Sequence, residues 1–154
     1  MTLQDQSDLF FMQQALRLAE QAAAADEVPV GAIVVHNNEI VAEARNETIA
    51  LCDPSAHAEV LAIRRAAIAL SNHRLNNTTL YVTLEPCLMC CGCLLHARVA
   101  RLVFAAREPK TGAVVSINEA LADPAQSHSV RVTEGVLANE CKATVQAFFK
   151  SRRQ

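Results

Sequence analysis

Leu80-Tyr-Val-Thr-Leu-Glu-Pro-Cys-Leu-Met-Cys90 joins a short apolar strand, Leu80 to Leu84, directly to a pair of cysteines. A proline just before Cys87 favours the start of a helix, because the N–H that proline lacks has no partner in a first turn. Cysteines three residues apart share one helix face. The positive end of the helix dipole lowers the pKa of a thiol there and favours the thiolate that binds a metal. The stretch therefore predicts a strand that ends at a metal site.

A second motif, Asp53-Pro-Ser-Ala-His-Ala-Glu59, lies upstream. Its Asp-Pro pair predicts an N-cap followed by proline at the first helical position. We expect this helix to run from about Ser55 to Leu70, so that His57 and Glu59 lie near its beginning. Residues two apart diverge inside a helix, and both side chains can face one pocket only near the helix end. The two motifs therefore predict two helix N-termini that converge on one metal ion.

The ligand count predicts a catalytic zinc site. His57, Cys87 and Cys90 supply three ligands, and because tetrahedral zinc has four positions, the fourth is left for water. We expect Glu59 to lie beside the metal without ligating it and to transfer protons as a general acid and base. His-x-Glu followed by Pro-Cys-x-x-Cys is the signature of zinc-dependent nucleobase deaminases.

Two other interpretations of the cysteine pair are a redox dithiol and a structural zinc knuckle. A redox pair does not require the upstream His-x-Glu, and a structural knuckle normally brings a second ligand pair. Cys91 and Cys93 compete as ligands because they share the helix faces of Cys87 and Cys90. We expect them instead to be small packing residues, as free cysteines usually are.

Length and composition limit the classes of function that the chain can have. The 154 residues predict one domain over positions 1–154, with 51% hydrophobic but only 4% aromatic residues, too few aromatics for a base-stacking surface. No apolar run reaches the length of a membrane span, and the first residues are acidic where a signal peptide is basic, so we expect a cytoplasmic protein without membrane contact. Residues 1–60 carry two basic against ten acidic residues, and the remainder twelve against six. The basic half could face phosphates or be a solvated surface.

The remaining pattern predicts strands and helices in alternation. A parallel crossover joins the strand before Cys87 to the next strand, which places the metal motif at the carboxyl ends of the strands. The elements that we expect are an amphipathic helix from Asp8 to Ala25 capped by Ser7 or Asp8, a hairpin of Val30–His36 and Ile40–Ala44 around Asn37-Asn38, a helix ending near Arg98, a strand Arg101–Ala106, a short helix Ile117–Leu121, a strand Ser129–Thr133 and a helix from Val136 to about Arg153.

From about Leu9 to Arg153 the sequence resembles the family of bacterial tRNA-specific adenosine deaminases, in the cytidine deaminase-like superfamily. The resemblance implies a three-layer α/β/α sandwich with a five-stranded mixed sheet, and a homodimer with one Zn²⁺ per chain. It also implies hydrolytic deamination of the wobble adenosine of a tRNA anticodon to inosine. The segments that carry it are Glu27-Val-Pro-Val-Gly31, Asp53 to Glu59, Tyr81 to Cys87, Lys110-Thr-Gly112 and Thr133-Glu-Gly135.

The same resemblance implies substrate contacts. In such enzymes the residue matching Asn46 hydrogen-bonds the flipped base, the backbone around Ala58 and the residue matching Pro86 hold its edge, and Val30 lines the pocket. The loop from Glu108 to Lys110 and the final helix lie along the anticodon arm of the tRNA.

The implied chemistry joins the zinc site to the substrate. A zinc-bound hydroxide attacks C6 of adenine while Glu59 protonates N1 and then the leaving amino group. Glu108 stands where the family usually has Asp, so a contact from this loop requires the longer side chain to fold back. Two other functions fit parts of the pattern: a deaminase of free guanine or cytosine, and a noncatalytic zinc-containing RNA-binding subunit.

Overall fold

The sheet is built by five strands, and four α-helices pack against it. The computed structural model describes residues 1–152. The elements are α1 Leu3–Ala24, β1 Gly31–His36, β2 Glu39–Arg45, α2 Ala58–Ala69, β3 Thr78–Leu84, α3 Leu88–Ala97, β4 Arg101–Ala106, a 3₁₀ turn Ala120–Ala122, β5 Arg131–Glu134 and α4 Ala138–Arg152. The strand order is β2-β1-β3-β4-β5. This arrangement confirms the five-stranded mixed sheet.

The hairpin and the crossover both form as expected. β1 and β2 are antiparallel, and Asn37 and Asn38 between them have φ of 51° and 64°. Two central residues with positive φ suit the right-handed twist of a hairpin, and asparagine tolerates that conformation. β3 and β4 are parallel neighbours joined by α3. The carboxyl ends of these two strands therefore lie together at the edge where α3 begins.

Both faces of the sheet are apolar, which is why helices cover both. On one face Leu80, Val82 and Phe104 pack with residues of α2 and α3. On the other, Tyr81 and Val103 pack with residues of α1 and with Cys141 of α4. Alternate residues of one strand serve the two cores, as the two-residue period of a strand requires. Across residues 1–152, no helix has the length and apolar character of a membrane span.

Gly31 lets α1 approach the sheet closely. A Cβ at this position would overlap the carbonyl oxygen of Ala15 and lie 2.7 Å from the backbone nitrogen of Ala19. The N–H of Gly31 donates instead to the hydroxyl of Thr83 at 3.1 Å. The backbone of α1 therefore approaches the entrance of β1 closely.

The first helix begins earlier than the expected Ser7 or Asp8. Thr2 is the N-cap, and its hydroxyl and the carboxylate of Asp5 form a reciprocal capping box. Asp8 lies one turn inside the helix and is buried, because it pairs with Arg101. Asp8, which the sequence pattern marks as a possible helix cap, is therefore part of an inward-facing ion pair.

Two later boundaries also differ. The expected short helix Ile117–Leu121 is a 3₁₀ turn at Ala120–Ala122. The last helix begins at Ala138 and not at Val136, because Gly135 and Leu137 have φ of 90° and 60°, outside the helical region. Its expected end at Arg153 lies outside the described residues.

Candidate active site

Two helix N-caps hold the ligands. His57 is the N-cap of α2 and Cys87 is the N-cap of α3, both with extended backbone. The expected helix start at Ser55 is wrong: the Asp53 carboxylate accepts hydrogen bonds from the N–H of Ser55 at 2.9 Å and from its hydroxyl at 2.7 Å. This local turn competes with the helix and moves its start to Ala58. Because His57 is not helical, it and Glu59 need not diverge by the angle that a helix imposes.

The three side chains have the spacing of a tetrahedral zinc site. The Sγ atoms of Cys87 and Cys90 lie 3.7 Å apart, and Nδ1 of His57 lies 3.7 Å from the first and 3.5 Å from the second. Zinc with bonds of about 2.3 Å to sulfur and about 2.0 Å to nitrogen needs about 3.8 Å between sulfurs and about 3.5 Å between sulfur and nitrogen. The predicted ligand set therefore fits zinc, with one position of the tetrahedron left open.

The electrostatics of the group favour a metal ligand. A hydrogen bond from Cys90 and then the neighbouring His57 lower the pKa of Cys87 to about 4, against the opposing effect of burial. The hydrogen bond between His57 and Cys87 raises the pKa of His57. The hydrogen bond to Cys87 and burial raise the pKa of Cys90. These surroundings therefore favour the thiolate form of Cys87, the cysteine that caps α3.

Glu59 is enclosed beside this group. Its side chain is 4% exposed, and burial raises the pKa of its carboxyl above the usual range. A raised pKa makes the carboxylate a stronger proton acceptor, which suits the role of a general base that later returns the proton.

A pocket of about 240 Å³ opens onto these residues. Its lining includes Val30, Asn46, His57, Glu59, Cys87 and Glu108. The oxygen of Asn46 accepts the N–H of Ala58 at 2.8 Å. Because a backbone N–H can only donate, this bond fixes the orientation of the amide and leaves its NH₂ group as the donor end. Val30 and Asn46 thus line the same pocket as Glu59.

The other residues that the resemblance implies as substrate contacts have different surroundings. The N–H of Ala58 is engaged by Asn46, and the carbonyl of Pro86 accepts the N–H of Ala113 at 2.9 Å. The Glu108 side chain folds back, since its carboxylate accepts the N–H of Lys110 at 3.0 Å. Lys110 is exposed, and the pocket wall includes Glu108 and Thr111 from this loop.

Cys91 and Cys93 lie outside the ligand group. Over residues 1–152, His57, Cys87 and Cys90 are the one cluster of three His, Cys, Asp or Glu side chains close enough to hold a metal ion. Cys91 is fully buried in the core and its pKa is raised to about 12, chiefly by burial. Both cysteines pack against the core on this face.

Two buried glutamates near the pocket, Glu27 and Glu85, lie in segments that carry the resemblance but are given no role by the sequence pattern. Glu85 is 3% and Glu27 is 2% exposed. Burial alone would raise the pKa of Glu85, but hydrogen bonds from Ser116, Val115 and Glu108 lower it below the usual range. A glutamate before a proline and another before a valine resemble ordinary solvated charges in sequence, because their partners lie far along the chain.

Comparisons with known proteins agree with this geometry. The family described as cytidine and deoxycytidylate deaminase zinc-binding region matches residues 5–106. A tRNA-specific adenosine deaminase of Haemophilus influenzae is 48% identical over 144 residues, 93% of this chain and 83% of that protein. One of Bacillus subtilis is 41% identical over 147 residues, 96% of this chain and 91% of that protein.

Solved structures of two kinds share the fold. A chain from a study of A-to-I editing by tRNA:A34 deaminases at the wobble position of transfer RNA superposes with a TM-score of 0.86 at 41% identity, covering 88% of this chain and 98% of that one. A guanine deaminase from Nitrosomonas europaea superposes with a TM-score of 0.74 at 26% identity, covering 90% of this chain and 82% of that one.

Proposed function

The chain belongs to the tRNA-specific adenosine deaminases within the zinc-binding cytidine and deoxycytidylate deaminase family, and from this membership we propose that it converts adenosine to inosine at the wobble position of a tRNA anticodon. One observation on the chain's own residues supports the proposal. His57, Cys87 and Cys90 form three corners of a zinc tetrahedron, and the buried carboxyl of Glu59 shares their pocket. An open metal position beside an enclosed proton carrier is the arrangement of a hydrolytic deaminase.

The metal-binding residues and Glu59 have different roles in the reaction. His57, Cys87 and Cys90 would hold one zinc ion per chain, which lowers the pKa of water and supplies a nucleophile at neutral pH. Glu59 accepts the proton that water gives up as it attacks C6 and passes it to N1 of the base. Glu59 then takes the remaining proton of the attacking oxygen and delivers it to the amino group, so that C6=O forms as the C6–N bond breaks and the products are inosine and ammonia.

Asn46 orients the base. Its oxygen is held by the N–H of Ala58, so its NH₂ group is the end that can contact a ligand. The ring nitrogens of adenine are acceptors, and a donor fixed on the pocket wall is complementary to them. Val30 supplies an apolar surface of the same pocket. A pocket of about 240 Å³ admits one base but no duplex, so the adenosine has to leave its stack, which costs least in a single-stranded loop.

The RNA contacts involve the neighbouring loop and the final helix. Glu108 lies at the pocket and Lys110 on the exposed side of the same loop, and α4 carries Lys142 and Lys150. We assign these residues, with the backbone at Ala58 and Pro86, to the surface that receives the anticodon arm. A cytoplasmic location accords with a tRNA substrate and with clustered reduced cysteines.

We also propose that the enzyme is a homodimer. Three large apolar side chains are exposed on α2 and α3: Ile68 at 79%, Leu88 at 61% and Met89 at 41%. Both helices cover the same face of the sheet. Large apolar side chains exposed on one outer layer are typical of a surface that pairs with another subunit.

The test is inosine formation in an anticodon stem-loop that carries a wobble adenosine. We expect inosine from the wild type and none from Glu59→Ala, with one zinc ion per chain in both proteins. A stem-loop with the adenosine only in its duplex stem is the substrate control. A zinc-loaded wild type that forms no inosine contradicts the proposal, and free guanine is then the first substrate to assay.

A further inference from the structure

One buried carboxylate organises the loop from 108 to 116. Glu85 is 3% exposed and accepts hydrogen bonds from four backbone amides and one hydroxyl. Every one of these donors belongs to the 108–116 loop. The donors are the N–H groups of Glu108 at 3.0 Å, Val114 at 3.1 Å, Val115 at 2.8 Å and Ser116 at 3.0 Å, and the hydroxyl of Ser116.

The loop is wrapped tightly around this carboxylate. A Cβ at Gly112 would overlap the carboxyl carbon of Glu85 and lie 2.6 Å from the carbonyl oxygen of Glu108. The N–H of Ala113 donates to the carbonyl of Pro86 at 2.9 Å. Glycine is therefore required where the backbone passes the carboxylate, and the loop is fixed both to Glu85 and to the residue after it.

Glu85 connects two parts of the catalytic pocket. It stands two positions before the metal ligand Cys87, between the end of β3 and the start of α3. Glu108 and Thr111 of the loop line the same pocket as Glu59. The position of that wall relative to the ligands is thus set through one side chain. Without it, four loop amides would lose the carboxylate that accepts their hydrogen bonds.

We propose that Glu85 is a positioning residue for the RNA substrate, whose carboxylate holds the 108–116 loop in its binding conformation before RNA arrives. The role rests on the proposed function, since it acts on the binding of the anticodon arm. A preformed loop does not have to be ordered on binding, so without Glu85 the affinity is multiplied by the fraction of molecules in which the loop is still in place. Once RNA is bound, the loop is in place and the chemical step is preserved.

A second buried glutamate, Glu27, holds another loop at this pocket in the same way. Glu27 is 2% exposed and accepts the hydroxyl of Thr48 at 3.3 Å, the N–H of Ile49 at 3.2 Å and that of Ala50 at 2.8 Å. Thr48 also lines the pocket. Glu27→Gln is therefore a control with the same substitution and the same burial that acts on a different loop.

The experiment compares Glu85→Gln and Gly112→Ala with Glu27→Gln and with Asp8→Asn, whose ion pair with Arg101 lies at the opposite end of β4. Each protein is assayed for zinc content, for hydrogen exchange of peptides covering 108–116, and for kcat and KM on the wobble-adenosine stem-loop. In Gly112→Ala the carboxylate is intact and only the approach of the loop is blocked.

We expect Glu85→Gln and Gly112→Ala to keep one zinc ion per chain and to lose exchange protection at 108–116. Their KM should rise about tenfold, as it does when about one molecule in ten has the loop in place, with kcat within about twofold. Glu27→Gln should leave exchange at 108–116 unchanged, and Asp8→Asn should be less stable with the KM of the wild type.

Unchanged exchange at 108–116 in Glu85→Gln would overturn the proposal. So would a rise in KM no larger than that of Asp8→Asn, since the effect would then be one of general stability. If the zinc-loaded wild type forms no inosine, the proposed function fails, whereas a failure of the positioning role is seen as an active wild type with variants that bind the stem-loop equally well.

Discussion

The Asn46→Asp variant tests recognition of the base while it preserves the hydrogen bond that residue 46 makes at the start of α2. The carboxylate can still accept the N–H of Ala58, which Asn46 accepts at 2.8 Å, so the start of α2 is preserved. It stays ionised because it faces a helix N-terminus and accepts a backbone N–H. The NH₂ donor is lost, however, and an acceptor takes its place opposite the acceptor nitrogens of adenine.

The magnitude follows from those two changes. Losing one hydrogen bond costs about 1 kcal/mol, and leaving the ring acceptor facing another acceptor in a closed pocket costs about 1–3 kcal/mol more. The sum of about 2–4 kcal/mol corresponds to a loss of about 30- to 1000-fold in kcat/KM. Asn46→Ala should lose a similar factor and also destabilise the fold, because the N–H of Ala58 then has no acceptor.

The assay is kcat/KM on the wobble-adenosine stem-loop, with zinc content and unfolding midpoint measured in parallel. We expect Asn46→Asp to bind one zinc ion and to unfold within a few degrees of the wild type. A loss of less than about fivefold in Asn46→Asp, with zinc intact, would refute the assignment of the NH₂ group as the donor to the base.

Three other outcomes are expected. Asp8→Asn removes the partner of a buried guanidinium and should lower the free energy of unfolding by about 3 kcal/mol in urea at pH 7. The hydrogen bond and charge of Arg101 outweigh burial and hold the pKa of Asp8 below its usual value; this stabilisation is complete above about pH 4 and is lost as pH falls through the folded-state pKa. Cys90→Ala should abolish both zinc binding and activity, measured by metal analysis, whereas Cys93→Ala should retain both. Leu88→Glu should shift the protein from dimer to monomer in light scattering.

The sequence predicted the metal group because its ligands lie at local boundaries. Strand, proline and Cys87 mark the start of a helix, and the parallel crossover brings that start to the edge of the sheet. The boundary before His57 was wrong because the carboxylate of Asp53 bonds Ser55 within its own turn, and an Asp-Pro pair is typical of such a turn as well as of an N-cap. His57 still lies beside Cys87 and Cys90 although the helix start was misplaced, since an N-cap and a first-turn residue both face the helix end.

The glutamates that organise the pocket walls could not be predicted in this way. The donors to Glu85 lie 23 to 31 positions away, and those to Glu27 lie 21 to 23 positions away. No periodicity joins a carboxylate to amides in a distant loop, because backbone N–H groups are the same at every residue. Asp8 was taken for a cap for the same reason: its partner Arg101 is 93 positions along the chain.

Polar residues that this fold buries hold the segments that line the pocket. A buried carboxylate is tolerated only where hydrogen bonds or a counter-charge replace water. Glu27 and Glu85 meet that condition with loop amides from opposite walls, and Asn46 meets it with the first N–H of α2. Glu59 differs, because burial raises its pKa and leaves it able to exchange a proton. The pocket therefore combines fixed walls with one carboxyl that can change its protonation state, so substitutions in the walls should alter binding and substitutions at Glu59 should alter the chemical step.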